Sequence, residues 1–457
     1  MFRFAIRWTL IYLGLYFSEM VPALLPVIVG NLTLQVHFFD PYTRLWATLP
    51  AWVGVHLFGM RASAMAQMPG PSPFLFVKLL IMATVAAVVT LVWLAVERRR
   101  SRTVPIIGGD ATSAAATTGR TDAALYDVLR VFVRYSLGCT MIIYAAAKVI
   151  KTQFRDPGLA ALSTPLGSLA PNELMWYFMG YSYAYNLFAG MGELAGSLLL
   201  FFRRTTTLGA LLVIAVMSNV VVMDFVYDIN SVTIWATHLL FMAVLLVLPD
   251  VRRLIDVLIW NRPTASSDIG PVYAGRWSRP ARIAAKAVAI FFAAWQLRAS
   301  WQRLHTTGDL APKPPLYGAY AVEQFVVNGD SMPPLVTDTT HWRRVIVNRA
   351  YEMAPVTALV RLANDSLRQY DMRIDTVAKR VTLLARPSRR AARPTGSAAN
   401  APPATIGIFS YASSDSGRLA LSGAWRGDSV RVRLRREDQQ FALLRPVHWF
   451  TVPGASK

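Results

Sequence analysis

Seven stretches of this chain, at residues 8–29, 74–96, 131–150, 176–202, 208–229, 232–248 and 281–297, are apolar for long enough to cross a bilayer. A hydrocarbon core of about 30 Å needs roughly 20 such residues in a helix, because in lipid every backbone polar group must be satisfied within the segment. The pattern therefore predicts a helical membrane bundle of about seven spans over residues 1–300. Residues 46–60, interrupted by Pro50 and carrying His56, are too short to span and predict an interfacial or re-entrant helix. The first run contains Glu19, Pro22 and Pro26 and is followed by no A-x-A site, which argues against a cleaved secretory leader.

The net charge of +21, from 47 basic and 26 acidic residues, on a soluble chain would point to nucleic acid. Here the arginines flank apolar runs: Arg98, Arg99, Arg100 and Arg102 after the second, Arg203 and Arg204 after the fourth, and Arg252, Arg253, Arg262, Arg276 and Arg279 between the sixth and seventh. Cytoplasmic loops carry that excess, so the lipid bilayer is the expected partner and nucleic acid is not. The N-terminus is then cytoplasmic and, with an odd span count, the C-terminal domain is periplasmic, in a bacterial inner membrane. Residues 97–122, rich in Gly, Ala, Ser and Thr from 103 onward, are expected to form a cytoplasmic linker, and 301–316 a second linker.

From residue 317 the hydrophobic period changes from that of helices to that of strands. Val430, Val432 and Leu434 alternate with Arg431, Arg433 and Arg435, as Tyr370, Met372 and Ile374 do with Asp371, Arg373 and Asp375. Further strands are predicted at 319–327, 342–347, 358–362, 380–384, 405–411, 418–425 and 441–444, with turns at Asn328-Gly329 and Gly427-Asp428. Nine or ten short strands over 317–457, with a low-complexity insertion at 386–403, predict an all-β antiparallel barrel or sandwich. Trp342, Trp425, Trp449 and His448 are its conspicuous side chains, either core or rim.

Ionisable groups inside a bilayer either have a partner or mark a site. Asn186, Gly190, Glu193 and Ser197 fall on one helical face of the fourth run, beside the GxxxG of Gly192 and Gly196. That face is expected to look into the bundle, with Glu193 either a packed, paired carboxylate or a functional one. On the third run Arg130, Arg134 and Lys148 share an arc, so that Arg134 either pairs with Glu193 or snorkels to the interface. Asn219, Asp224 and Asp228 on the fifth run and His238 on the sixth, joined by Lys148, are expected to line a polar pocket able to hold a headgroup or relay a proton, with structural ion pairing as the alternative. The single cysteine, Cys139, excludes a disulfide framework or cysteine-based metal site, and no nucleotide, hydrolase, zincin or haem-ligating motif is present. No catalytic set and no metal site is therefore expected.

The run YAYNLFAGMGELAGSLLLFFRRTTTLGALLVIAVMSNVVVMDFVYDI at residues 183–229, preceded by AAAKVIKTQF at 145–154 and followed by HLLFMAVLLVLPDVRRL at 238–254, resembles the DoxX family of bacterial membrane proteins over about a quarter of the chain. VEQFVVNGDSMPPLVTDTTHWRRVIV at 322–347 and the terminal FALLRPVHWF are similar to soluble tails appended to some DoxX-like proteins. The family takes its name from a subunit associated with thiosulfate:quinone oxidoreduction. The resemblance implies an accessory role in quinone-linked electron transfer, quinone as cofactor, a redox or periplasmic partner protein, and a β domain that binds a partner or a lipid-like ligand. A small-molecule transporter and a membrane enzyme acting on a lipid or quinone are the alternatives. No residue roles transfer from the family.

Overall fold

A computed structural model describes residues 1–29, 40–67, 70–103, 111–265, 278–331, 333, 335–349, 356–386, 403–413 and 417–437. The helices are α1 (Phe2–Val29), α2 (Asp40–His56), α3 (Pro73–Thr103), α4 (Ala111–Val149), α5 (Leu159–Leu162), α6 (Pro171–Tyr181), α7 (Tyr183–Leu200), α8 (Thr206–Val226), α9 (Thr233–Val247), α10 (Val251–Leu258) and α11 (Ser278–Thr306). The strands are β1 (Gly318–Val327), β2 (Asp330–Ser331), β3 (Trp342–Asn348), β4 (Val356–Leu362), β5 (Leu367–Asp375), β6 (Arg380–Ala385), β7 (Thr405–Ser413), β8 (Arg418–Trp425) and β9 (Asp428–Arg436). They form two compact units, one from Met1–Gln153 and Tyr183–Trp301, the other from Phe154–Ser182 and Gln302–Lys457.

Among the described residues of the first unit, five helical segments are long and apolar enough to cross a membrane: Pro73–Arg99, Thr121–Val149, Arg203–Val226, Thr233–Leu258 and Arg279–Thr306. They mark the chain as a membrane protein. The other two expected spans are helical as well. Helix α1 covers the whole first run. The run at 176–202 is broken at Ser182, whose extended backbone (φ −103, ψ 110) separates α6 from α7, and α7 carries Asn186 and Glu193.

The linkers are shorter than expected. Helix α3 continues to Thr103, α4 begins at Ala111 and α11 runs on to Thr306. The interfacial segment is the helix α2, with Pro50 inside it. Leu13, Met82, Leu137, Met141, Leu200, Met217 and Leu239 fill the centre of the bundle. Helices α4 and α7 approach closely because residue 190 is glycine: a Cβ there would stand 2.8 Å from the Val149 backbone nitrogen. The GxxxG pair faces α8, with Gly192 against Val216 and Gly196 against Val213.

In the second unit eight antiparallel strands, β1 and β3 through β9, follow one another in sequence order and close into a barrel through β1–β9 pairing, which settles barrel against sandwich. β2 extends β1 as a hairpin arm. Alternation along β9 sends Val430, Val432 and Leu434 inward and leaves Arg431, Arg433 and Arg435 exposed. The interior is packed with side chains, Trp342 lying against Phe325, Phe409 and Trp425. Leu159 and Ala160 of α5 cover an outer patch of Ala319, Ile346 and Leu359. The β8–β9 turn is one residue earlier than expected, because Arg426 (φ 54) and Gly427 (φ 96) take the two left-handed positions. The expected strand at 441–444, His448, Trp449 and residues 387–402 of the insertion lie outside the described residues.

Candidate functional site: a polar path through the bundle

Lys148, in the last turn of α4, and Glu193, midway along α7, meet where Gly190 lets the two helices touch. Lys148 Nζ donates to Glu193 Oε1 at 2.6 Å, and the two side chains are 5% and 1% exposed. Asn186 is fully buried on the same face of α7. Arg134 does not pair with Glu193. It stands 14 residues before Lys148, about 21 Å along α4 at a rise of ~1.5 Å per residue. Its Nε donates instead to the carbonyl of Leu200 at 2.8 Å, satisfying one of the end carbonyls that α7 cannot bond itself.

Asp224 is buried on α8, and its Oδ2 has no hydrogen-bond partner. Lys148 Nζ also stands 5.4 Å from the ring centroid of Tyr144, one turn earlier on α4. Asn219 and Asp228 do not join them: both are exposed, and Asp228 accepts from Asn230 Nδ2 at 2.6 Å. The spacing that placed Asp228 beside Asp224 assumed a helix that in fact stops at Val226, with Asp228 in the left-handed region (φ 57).

His238 sits beside this group rather than in it. Its Nδ1 lies 2.8 Å from the carbonyl of Ile234 and its Nε2 2.8 Å from the Tyr12 hydroxyl. A carbonyl only accepts, so Nδ1 carries the proton and Tyr12 donates to Nε2. The ring stacks on Tyr16 at 4.0 Å between centroids.

A second charged pair, which the spacing of polar residues did not bring together, joins α1 to α3, with Glu19 one turn beyond Tyr16. Lys78 of α3 donates to Glu19 Oε1 and stands 5.8 Å from the Phe74 ring centroid. Glu19 Oε2 is buried and has no hydrogen-bond partner. Beside the pair opens a cavity of about 590 Å³, with Trp46, Phe74 and Arg44 among its walls. Lys78 was legible as a lone cation in an apolar run. Tyr16 and Tyr144 left no such mark, because a tyrosine in an apolar helix reads as packing.

The arrangement offers a headgroup an acceptor at Glu19, a donor at Lys78 and aromatic walls. No family model matches the chain, and no solved structure matches it. Over 141 residues, 30% of this chain and 88% of its relative, it is 30% identical to Uncharacterized protein YwoB of Bacillus subtilis (strain 168). By that likeness the chain belongs to the same family as YwoB.

Proposed function

We propose that this is a DoxX-like accessory protein of quinone-linked electron transfer in a bacterial inner membrane, binding a quinol-type headgroup in the Glu19–Lys78 cavity and passing protons toward Asp224 and Glu193. The observation that carries the reading is the Glu19–Lys78 pair at the wall of the cavity, with Glu19 Oε2 buried and unpartnered. The unpartnered Glu19 Oε2 accepts from a ligand hydroxyl, and Lys78 holds the opposite charge in place. A cavity of about 590 Å³ suits a substituted ring, since small-molecule sites run from about 300 to 1,000 Å³. A bound quinone supplies two-electron, two-proton carrier chemistry.

In this reading α1 and α7 also cross, giving seven spans. Their polar residues do not meet lipid: Arg7 is fully buried between Glu97 at 3.1 Å and Asp122 at 3.0 Å, and Asn186 and Glu193 face the bundle. Seven crossings with cytoplasmic arginine loops put the barrel in the periplasm, where it meets a redox partner or a lipid-like ligand.

The test is mass spectrometry of small molecules retained after gentle detergent purification. A quinone or related isoprenoid lipid is expected with the wild type and lost from Glu19→Gln, with weaker loss from Asp224→Asn and Glu193→Gln. Retention of nothing specific by the wild type overturns the reading.

A further inference from the structure

Around one rim of the barrel, where β1 and β8 begin and β7 and β9 end, Lys313, Arg418 and Arg436 line a cavity of about 320 Å³. Among the described residues no carboxylate lies within ion-pair distance of any of the three; Asp415 and Asp438, close in sequence to Arg418 and Arg436, lie outside the described residues, and the described acids nearby pair with other arginines. Glu437 pairs with Arg344 at 2.9 Å and Glu323 with Arg435 at 2.9 Å. Three like charges gathered round a hollow repel one another, an arrangement that costs stability unless an anion joins them.

The backbone of this rim is held in forms that side chains seldom adopt. Leu316 has φ 61, and its carbonyl accepts from the Tyr320 hydroxyl at 3.0 Å. Gly417 has φ 73, and its carbonyl accepts from the Arg436 amide at 2.8 Å, fixing the β8 and β9 ends that carry two of the cations. Left-handed non-glycine residues persist where the surroundings over-determine them, often at ligand sites. Lys313 lies 5.3 Å from the Tyr317 ring centroid, which steadies its ammonium at the edge of the hollow.

We propose that this rim is a binding site for a phosphate monoester, carried on a small molecule or on a lipid headgroup. A phosphate monoester brings a charge of about −1.5 to −2 and three acceptor oxygens, matching two arginine forks and a lysine better than a single carboxylate does. The apolar side of the hollow, Leu316 and Leu419 with the ring of Tyr317, takes a short carbon body. This site is independent of the intramembrane cavity, and its variants leave retention of an isoprenoid ligand there unchanged.

The experiment is calorimetric titration of the full chain, in phosphatidylcholine nanodiscs, with inorganic phosphate and glycerol phosphate. Native mass spectrometry of nanodiscs with and without phosphatidic acid runs in parallel. Saturable binding of glycerol phosphate, weakened about tenfold by Arg418→Gln or Arg436→Gln as expected for loss of one charge-assisted bond, supports a free phosphate ester. Retention of phosphatidic acid, reduced by the same variants, supports a lipid phosphate. Both variants replace exposed side chains, and unchanged circular dichroism checks that they fold. Absence of saturable binding in every arm, or binding that both variants leave intact, overturns the proposal.

Discussion

Neither Lys148 nor Glu193 can remain charged alone where it sits, because each is almost wholly removed from solvent and the other is its counter-ion. Lys148→Met is therefore expected to lower stability by about 3–5 kcal/mol, read from thermal unfolding in detergent, with Lys148→Met/Glu193→Leu recovering most of the loss. A double variant as unstable as the single one sinks the ion-pair account. In the barrel, burial holds the His341 imidazole below its ordinary value, against the pull of the Asp338 carboxylate. The folded state thus takes up a proton less readily than the unfolded chain, and stability falls as the pH drops through about 6.5 until it passes below the lowered folded value. His341→Gln should flatten that slope; an unchanged slope removes His341 as its cause. At this scale the sequence marked Lys148, Asn186, Glu193, Asp224 and His238 because polar groups on apolar helices stand out. It could not pair them, since partners depend on how α4 and α7 are rotated and set against each other, and so left Arg134 open between Glu193 and the interface.

Among elements, the strands were the most legible, because a closed barrel turns every second residue inward and the period of two is visible along β5 and β9. What fills the interior follows from the same alternation, and Trp342, packed against Phe325, Phe409 and Trp425, is its largest fully buried side chain. Trp342→Ala should lower barrel stability by about 3–5 kcal/mol in chemical denaturation followed by fluorescence. A loss well under that range means the cavity is readily filled by its neighbours. The start of α4 was missed for the opposite reason: residues 111–121 read as a linker from their small, polar composition, yet alanine is the best helix former. Gly190→Val tests the α4–α7 contact, since a side chain there meets the Val149 backbone at 2.8 Å and must push the helices apart. Its expected result is a lower unfolding temperature and a weakened Lys148–Glu193 pair.

For the molecule as a whole, membrane residence was legible from run length alone, while the number of crossings was not. In α7 hydropathy counts Asn186 and Glu193 against the helix, although Glu193 finds its partner inside the bundle. On the proposed seven crossings, reporter fusions after Arg99, Arg204 and Arg253 should give cytoplasmic signals and a fusion after Ile229 a periplasmic one. A cytoplasmic signal after Ile229 contradicts the topology. The cavity beside Glu19 and Lys78 is where a ligand would enter the bundle. The most direct measurement is a titration of the purified chain with a short-chain quinol and with its quinone, followed by quenching of tryptophan fluorescence, for the wild type and Glu19→Gln. The account predicts saturable binding that favours the quinol, whose hydroxyl donates to Glu19, and loss of that preference in Glu19→Gln. No saturable quenching, or the same preference in the variant, would contradict it.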